Sequence, residues 1–342
     1  IHVIGYHTLS EAVELFNSTE YGLTGGVYAQ SQDDVDYLLR ELRCGNLYIN
    51  RPNTGARVAI EPFGGFKLSG TGPKAGGRDY LAQFLVPAEV LKAPRPASSS
   101  FQWAKERGLA FERPRPIQLS LSGRLLRWQR LGERVLAQYE SLTGGIGEGQ
   151  KQALQDFVRQ MPTLLPHELT AQHPNLKIPG QLSYDRKDLT RESVALVVSR
   201  REASLPLLLH WLSAIAAGSG VAVLATTSES YATWKALTDL AHKAGLSQLN
   251  VEAYLCDQAS LKEALAHEGL DAVVLSAELS ASAELVALVM PQSALKLTMR
   301  QLFHESEHPP LSHWRLWLEQ YLLVRSLAVN TMRHGAPLEL HS

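Results

Sequence analysis

Between residues 187 and 342, short apolar runs alternate with helix-length segments. This pattern restricts the fold more than any other feature of the chain. Val194–Val198, Val221–Ala225, Asn250–Leu255 and Asp271–Leu275 read as strands. Leu205–Ala217 and Tyr231–Ala244 read as the intervening helices, stopped by Gly218-Ser219-Gly220 and by Gly245. Strands alternating with helices predict an α/β fold with a parallel, doubly wound sheet.

Two further regions precede this one. From residue 1 to about 88, the pattern predicts a strand at Ile1–Ile4, a helix over Leu9–Asn17 and a strand over Leu23–Ala29. A second helix follows Ser31-Gln32-Asp33-Asp34, whose acidic start suits the helix dipole, and carries Val35, Leu38, Leu39 and Leu42. Leu47–Asn50 reads as a buried strand, and a loop rich in Gly and Pro runs on to Gly77, ahead of a strand at Tyr80–Leu85. Residues 89–186 open with a Pro/Ser linker and continue with amphipathic helices near 122–141 and 148–162. Leu125, Trp128, Leu131, Val135 and Tyr139 recur there at helical spacing and read as a packing face. With no initiator Met and a strand at its first residues, the sequence is expected to start inside a longer protein.

Composition narrows the function. The 342 residues suffice for about two domains, and 45% hydrophobic with 20% charged residues fits a globular protein with a core. A net charge of -1 gives no reason to expect nucleic acid as a partner. No apolar run is long enough for a transmembrane segment, and no signal peptide is expected from the first residues. Cys44 and Cys256 lie in no metal spacing, and a reducing cytoplasm is the expected location.

The stretch from Tyr21 to Leu85 carries the chemistry. It contains Tyr21-Gly22-Leu23-Thr24-Gly25-Gly26-Val27, Gly45-Asn46-Leu47-Tyr48-Ile49-Asn50-Arg51, Thr54-Gly55-Ala56 and Pro62-Phe63-Gly64-Gly65. It ends in Ser69-Gly70-Thr71-Gly72-Pro73-Lys74-Ala75-Gly76-Gly77. In this order the blocks resemble the end of the catalytic domain of aldehyde dehydrogenases. The last block resembles the glutamate semialdehyde dehydrogenase branch, above all the bifunctional proline utilization A proteins. The resemblance implies an NAD-dependent enzyme oxidising glutamate semialdehyde to glutamate in proline degradation. It implies FAD as well if a proline dehydrogenase is fused to the parent. It also implies upstream dehydrogenase domains as partners, a homo-oligomer, and a parent in the cytoplasm or peripheral at the inner membrane. Gly55 and Ala56 are then the expected contacts for the substrate carboxylate, because backbone amides in a tight turn bind anions without a charged side chain. Phe63 would pack beside the aldehyde chain. The plainer reading is that the glycines only build turns and Phe63 only fills core. The family's nucleophilic cysteine would lie upstream, so no catalytic residue is expected here. Cys44 and Cys256 read as buried small hydrophobes.

The region from 187 onward is similar to the start of an aldehyde dehydrogenase NAD-binding domain, through Ile178-Pro179-Gly180-Gln181, Val194–Ser199 and Ala216–Leu224. Where the family carries Trp-Asn, this chain has Ser199-Arg200-Arg201. Where it carries Lys-Pro-Ser, the chain has Ala225-Thr226-Thr227-Ser228. The expected architecture is therefore the end of a catalytic domain (1–88), a helical linker (89–186) and a degenerate Rossmann-like domain with a C-terminal flap (187–342). That last domain would serve as a lid that seals a substrate tunnel, with no cofactor residues of its own. The alternative is a structural or oligomerisation module without turnover. Arg325–Thr331 resembles a terminal strand and flap.

Other matches carry less. His304-Glu305-Ser306-Glu307-His308 has zinc-hydrolase spacing, but Pro309 and Pro310 follow directly, so a solvated loop is expected and no metal. Gly70–Ala75 fits a dinucleotide-loop spacing without a surrounding βαβ unit. Arg51, Arg57 and Lys67 make the loop basic, which serves solvation or an anionic substrate equally well.

Overall fold

The computed structural model describes residues 2–58, 60–70, 74–77, 80–84, 103, 104, 108, 110–143, 148–175, 177–267, 269–280, 301–305, 308–333 and 336–337. The linker at 94–100 and Thr71-Gly72-Pro73 of the Gly-rich block lie outside these residues. In chain order come α1 (Leu9–Asn17), β1 (Tyr21–Gly22), β2 (Thr24–Val27), α2 (Gln32–Glu41), β3 (Asn46–Ile49) and β4 (Phe66–Lys67). After a 3-10 turn at Tyr80–Phe84 follow α3 (Leu121–Ala137), α4 (Tyr139–Thr143), α5 (Glu148–Thr170), β5 (Gln172–Pro174) and β6 (Gln181–Thr190). The chain continues with β7 (Ser193–Val198), α6 (Leu205–Ala217), β8 (Gly220–Ala225), α7 (Ser228–Lys243), β9 (Val251–Leu255), α8 (Gln258–Leu265) and β10 (Ala272–Leu275). It closes with α9 (Ala277–Ser280), β11 (Gln301–His304), α10 (Trp314–Glu319), β12 (Leu322–Asn330), β13 (Met332–Arg333) and β14 (Ala336–Pro337).

These elements form two compact units, each drawn from separate stretches of chain. One comprises residues 1–85, 169–189 and 323–342; the other comprises 86–168 and 190–322. In the first unit a sheet runs β2-β3-β12-β6-β5, with β3 parallel to both β2 and β12. Val13, Val27, Val35, Leu42, Cys44, Leu47, Ile49 and Leu327 make its apolar core. The α2 start follows from Ser31, whose side chain accepts a hydrogen bond from the Asp34 amide.

The second unit holds a parallel sheet in the order β11-β10-β7-β8-β9. The mixed α/β fold with parallel sheets is the one the strand–helix alternation predicts. Gly218 ends α6 in the left-handed region at φ 101°, with the Ser219 amide bonded back to Ala214 O at 2.9 Å.

Four local expectations are corrected. Residues 2–4 form no strand; Val3 is 92% exposed, and an extended run without a ladder partner is not a strand. Tyr80–Phe84 is a 3-10 turn, entered by a bond from the Tyr80 amide to Gly77 O. The helix expected to stop at 162 continues to Thr170 through Pro162 and Pro166. Leu154, Phe157, Val158, Met161 and Leu165 form a buried stripe along it, and packing of that face outweighs the lost backbone bonds. Finally, Glu305 is not in a solvated loop: it is buried and accepts the Ala277 amide at 2.7 Å. His308 lies face to face on Trp317. No group of metal-ligating side chains occurs among the described residues, nor is any helix there long and apolar enough to cross a membrane.

Candidate functional site

The loop after β3 is built around one carboxylate. Glu61 is buried, and four donors converge on it. Arg51 Nη1 donates at 2.7 Å, the Arg57 amide at 2.9 Å and Arg57 Nη2 at 3.4 Å. Gln181 Nε2, from β6, is the fourth. Burial alone raises the Glu61 pKa, but the hydrogen bonds from Gln181, Arg51 and Arg57 together hold it below the usual carboxylate range. The glutamate thus stays ionised and closes the turn between residues 51 and 61. With both arginines charged, the cluster keeps one net positive charge.

Gly55 sits on the exposed side of this turn with φ +82°, and a Cβ there would meet nothing within 4 Å. The position demands glycine for backbone geometry and not for space. Ala56 is exposed beside it. Phe63 follows two residues after Glu61, is 38% exposed, and is pinned to Ala75 by paired backbone bonds of 3.0 Å. The three candidate residues therefore share one loop, two on its turn and one at its base.

A buried polar cluster fixes that base. Lys74 Nζ donates to Gly45 O at 2.6 Å, to Asn46 Oδ1 at 3.3 Å and to Gly64 O. A Cβ on Gly45 would collide with both Gly64 O and Lys74 Nζ, so glycine is required where the lysine reaches in. Burial pushes Lys74 down to about 7. Asn46 Nδ2 and Ser326 Oγ both reach Pro62 O, at 2.8 and 2.9 Å, and Ser326 Oγ also lies 2.7 Å from Asp185 Oδ1. A hydroxyl has one proton to give, so Ser326 donates to one of these two oxygens at a time; burial raises the Asp185 pKa against the hydrogen bonds from Ser326 and Asn175.

Glu61, Lys74 and Gln181 escaped the sequence reading. Glu61 could have been found as the acid four residues after Arg57 and ten after Arg51. Gln181 carries no local signal, because its partner lies 120 residues away. Lys67, grouped with the basic residues, donates to the carbonyls of Asn17 and Thr19 at 2.5 and 2.7 Å. Cys44 is fully buried and its thiol is pushed up to about 11 by burial, so it remains protonated and unsuited to attack.

In the other unit the strand order reverses between β7 and β10, where open parallel sheets take dinucleotides at their carboxyl ends. The residues there do not fit NAD. Ser199 Oγ donates to Glu278 at 3.2 Å, and Arg200 pairs with the same carboxylate. The Ala277 amide is taken by Glu305, and the first turn of α7 by Thr227 in a reciprocal cap with Ser230. Two carboxylates and satisfied amides stand where a pyrophosphate would need donors.

Residues 1–90 match the aldehyde dehydrogenase family. A 1-pyrroline-5-carboxylate dehydrogenase of Bacillus licheniformis is 55% identical over 75 residues, which are 22% of this chain and 14% of that protein. A second such enzyme, 1-pyrroline-5-carboxylate dehydrogenase 2 of Bacillus subtilis (strain 168), is 56% identical over 72 residues, 21% of this chain and 14% of that protein. The structure of proline utilization A from Corynebacterium freiburgense aligns over 97% of this chain and 25% of its own, at 18% identity and a TM-score of 0.49. The N-terminal quarter is thus related to aldehyde dehydrogenases of the 1-pyrroline-5-carboxylate branch, and the chain spans about a seventh of the length of those enzymes.

Proposed function

We propose that this chain is part of an NAD-dependent L-glutamate γ-semialdehyde dehydrogenase acting in proline degradation, and that it supplies the loop that grips the substrate carboxylate. The observation that carries this reading is the Gly55–Ala56 turn: exposed, left-handed at Gly55, backed by a net positive cluster, and set in a stretch 55% identical to a 1-pyrroline-5-carboxylate dehydrogenase. Backbone amides at 55 and 56 hold the acid end, and Phe63 flanks the aliphatic chain. The nucleophilic thiolate and the cofactor contacts come from dehydrogenase residues outside this chain. NAD accepts the hydride in the parent enzyme, and FAD enters only if a proline dehydrogenase is fused to it. The parallel-sheet unit, with its filled carboxyl edge, acts as a non-catalytic covering or oligomerisation module.

The test is Gly55→Val in the full-length protein. A side chain at φ +82° meets no neighbour but disfavours the backbone by about 1–2 kcal/mol, so the turn rearranges without a clash. Losing one hydrogen bond to a charged group should raise the semialdehyde KM about 10- to 100-fold. An unchanged KM would show the loop to be scaffold only.

A further inference from the structure

We propose that Arg51 and Glu61 are positioning residues for carboxylate recognition, acting by fixing the peptide plane between Thr54 and Gly55. The inference rests on the function proposed above. Arg51 Nη2 donates to Thr54 O at 3.2 Å. In a trans peptide the C=O of one residue and the N–H of the next point in opposite directions. A carbonyl held toward Arg51 therefore turns the Gly55 N–H away from it. The orientation of the first anchoring amide is set by a guanidinium behind the loop and not by the glycine alone.

Arg51 is itself constrained on several sides. Its Nη1 meets Glu61 Oε1 at 2.7 Å and also Gln181 Oε1, and its guanidinium lies over the Tyr48 ring at 4.8 Å. Its side chain is 13% exposed and that of Glu61 1%. A free arginine at this place would compete with the loop amides by reaching for the substrate carboxylate directly. Glu61 prevents that by holding Arg51 Nη1 while Thr54 O holds Nη2, and the Arg57 amide, donating to the other Glu61 oxygen at 2.9 Å, closes the turn. Gln181 extends the arrangement beyond the stretch related to aldehyde dehydrogenases: it touches both Arg51 and Glu61 yet lies past residue 90. Recognition of the acid end thus depends on β6 as well as on the loop.

The experiment compares glutamate semialdehyde with pentanal, an aldehyde of equal chain length without the amino acid head, in the full-length enzyme. Glu61→Ala, the isosteric Glu61→Gln and Arg51→Lys are measured beside the unaltered protein. Expected is a rise in the semialdehyde KM of about 10-fold or more for Glu61→Ala, larger than any fall in kcat, with Glu61→Gln between it and the unaltered enzyme. The pentanal kcat/KM should fall by a much smaller factor, so the preference for semialdehyde shrinks. If Glu61→Gln and Arg51→Lys lower kcat/KM equally for both aldehydes, the pair is merely structural and the proposal is overturned while the functional reading stands. If the unaltered enzyme shows no preference for semialdehyde over pentanal, the functional reading itself fails, and this proposal with it.

Discussion

In the loop-bearing unit Glu61, Lys74, Asp185, Lys187 and Arg325 are all buried, whereas the strands and central helix of the parallel-sheet unit bury mainly Val, Leu, Ala and Trp. Among the described residues the parallel-sheet unit also encloses carboxylates, paired as those of the loop-bearing unit are: Glu168 with Arg315 at 3.2 Å, Glu252 with Lys235 at 3.3 Å, and Glu305 with the Ala277 amide at 2.7 Å. The contrast separates two ways of holding a chain in place. Apolar burial is non-directional and stabilises a layer of strands without fixing any one loop. Buried charge is directional and gives little net stability, yet breaking a pair is costly because it strands the partner. A unit that must hold a loop irregular in backbone but defined in orientation uses the second device.

The largest expected effect tests that claim directly. Arg325 on β12 is fully buried, donating to Asp188 Oδ2 at 2.7 Å and to Leu42 O at 3.2 Å. Arg325→Leu should cost about 3–5 kcal/mol, read from the urea midpoint, because it leaves a carboxylate and a carbonyl without the donor they share. Asp188 keeps Arg186 at 3.2 Å, so the loss should fall toward the lower end of that range. Adding Asp188→Asn should recover part of it. A loss of under about 1 kcal/mol would remove the distinction between the units, since that is the scale of an exposed pair.

The same contrast explains what could be read in advance. Apolar runs at strand length and helical stripes gave β7, β8, β9, β10, α6 and α7 of the parallel-sheet unit, because local pattern and burial agree there, whereas α8, β11 and α10 went unread. Gly218 marked its helix end for a backbone reason visible in one residue. In the loop-bearing unit the glycines and Phe63 could be located by their motif, but the groups that orient them could not. Glu61 meets Gln181 across 120 residues, and Ser326 meets Pro62 across 264. Pairing at such separation leaves no periodicity. The α5 prolines misled for a related reason: Phe157, Met161 and Leu165 pack against partners that the helix sequence does not contain.

A smaller effect should appear with pH. Burial lowers the Lys74 pKa from 10.5 to about 7, so from pH 7 to 9 the unfolded chain binds the proton more firmly than the folded one. Stability therefore rises with pH in that window. Burial moves Cys44 the other way, from 9.0 to about 11, so above pH 9 the unfolded chain gives up the thiol proton first and stability is lost. The two contributions oppose each other between about 9 and 10.5, and the rise should level off there. Urea midpoints at pH 7, 8, 9 and 10 would show the curve. Lys74→Met should abolish the rise from pH 7 to 9, and if the slope persists in that variant, another group carries it.

The smallest effect concerns one hydroxyl used in both units. Thr227 caps α7: its Oγ1 accepts the Ser230 amide at 3.1 Å and lies 3.0 Å from Ser199 O, in a half-buried setting. Thr8 caps α1 by accepting the Glu11 amide at 3.2 Å, but does so in the open. Thr227→Ala should cost about 1 kcal/mol and Thr8→Ala about 0.5 kcal/mol, read from thermal midpoints, since water replaces a lost cap more readily at an exposed helix end. Thr227 stands at the carboxyl end of β8, in the turn that leads into α7. A loss of cap-like size there means that the residue serves the helix. If Thr227→Ala leaves the midpoint unchanged, the amides it covers are satisfied some other way, and the reading of a carboxyl edge closed by its own side chains loses one of its supports.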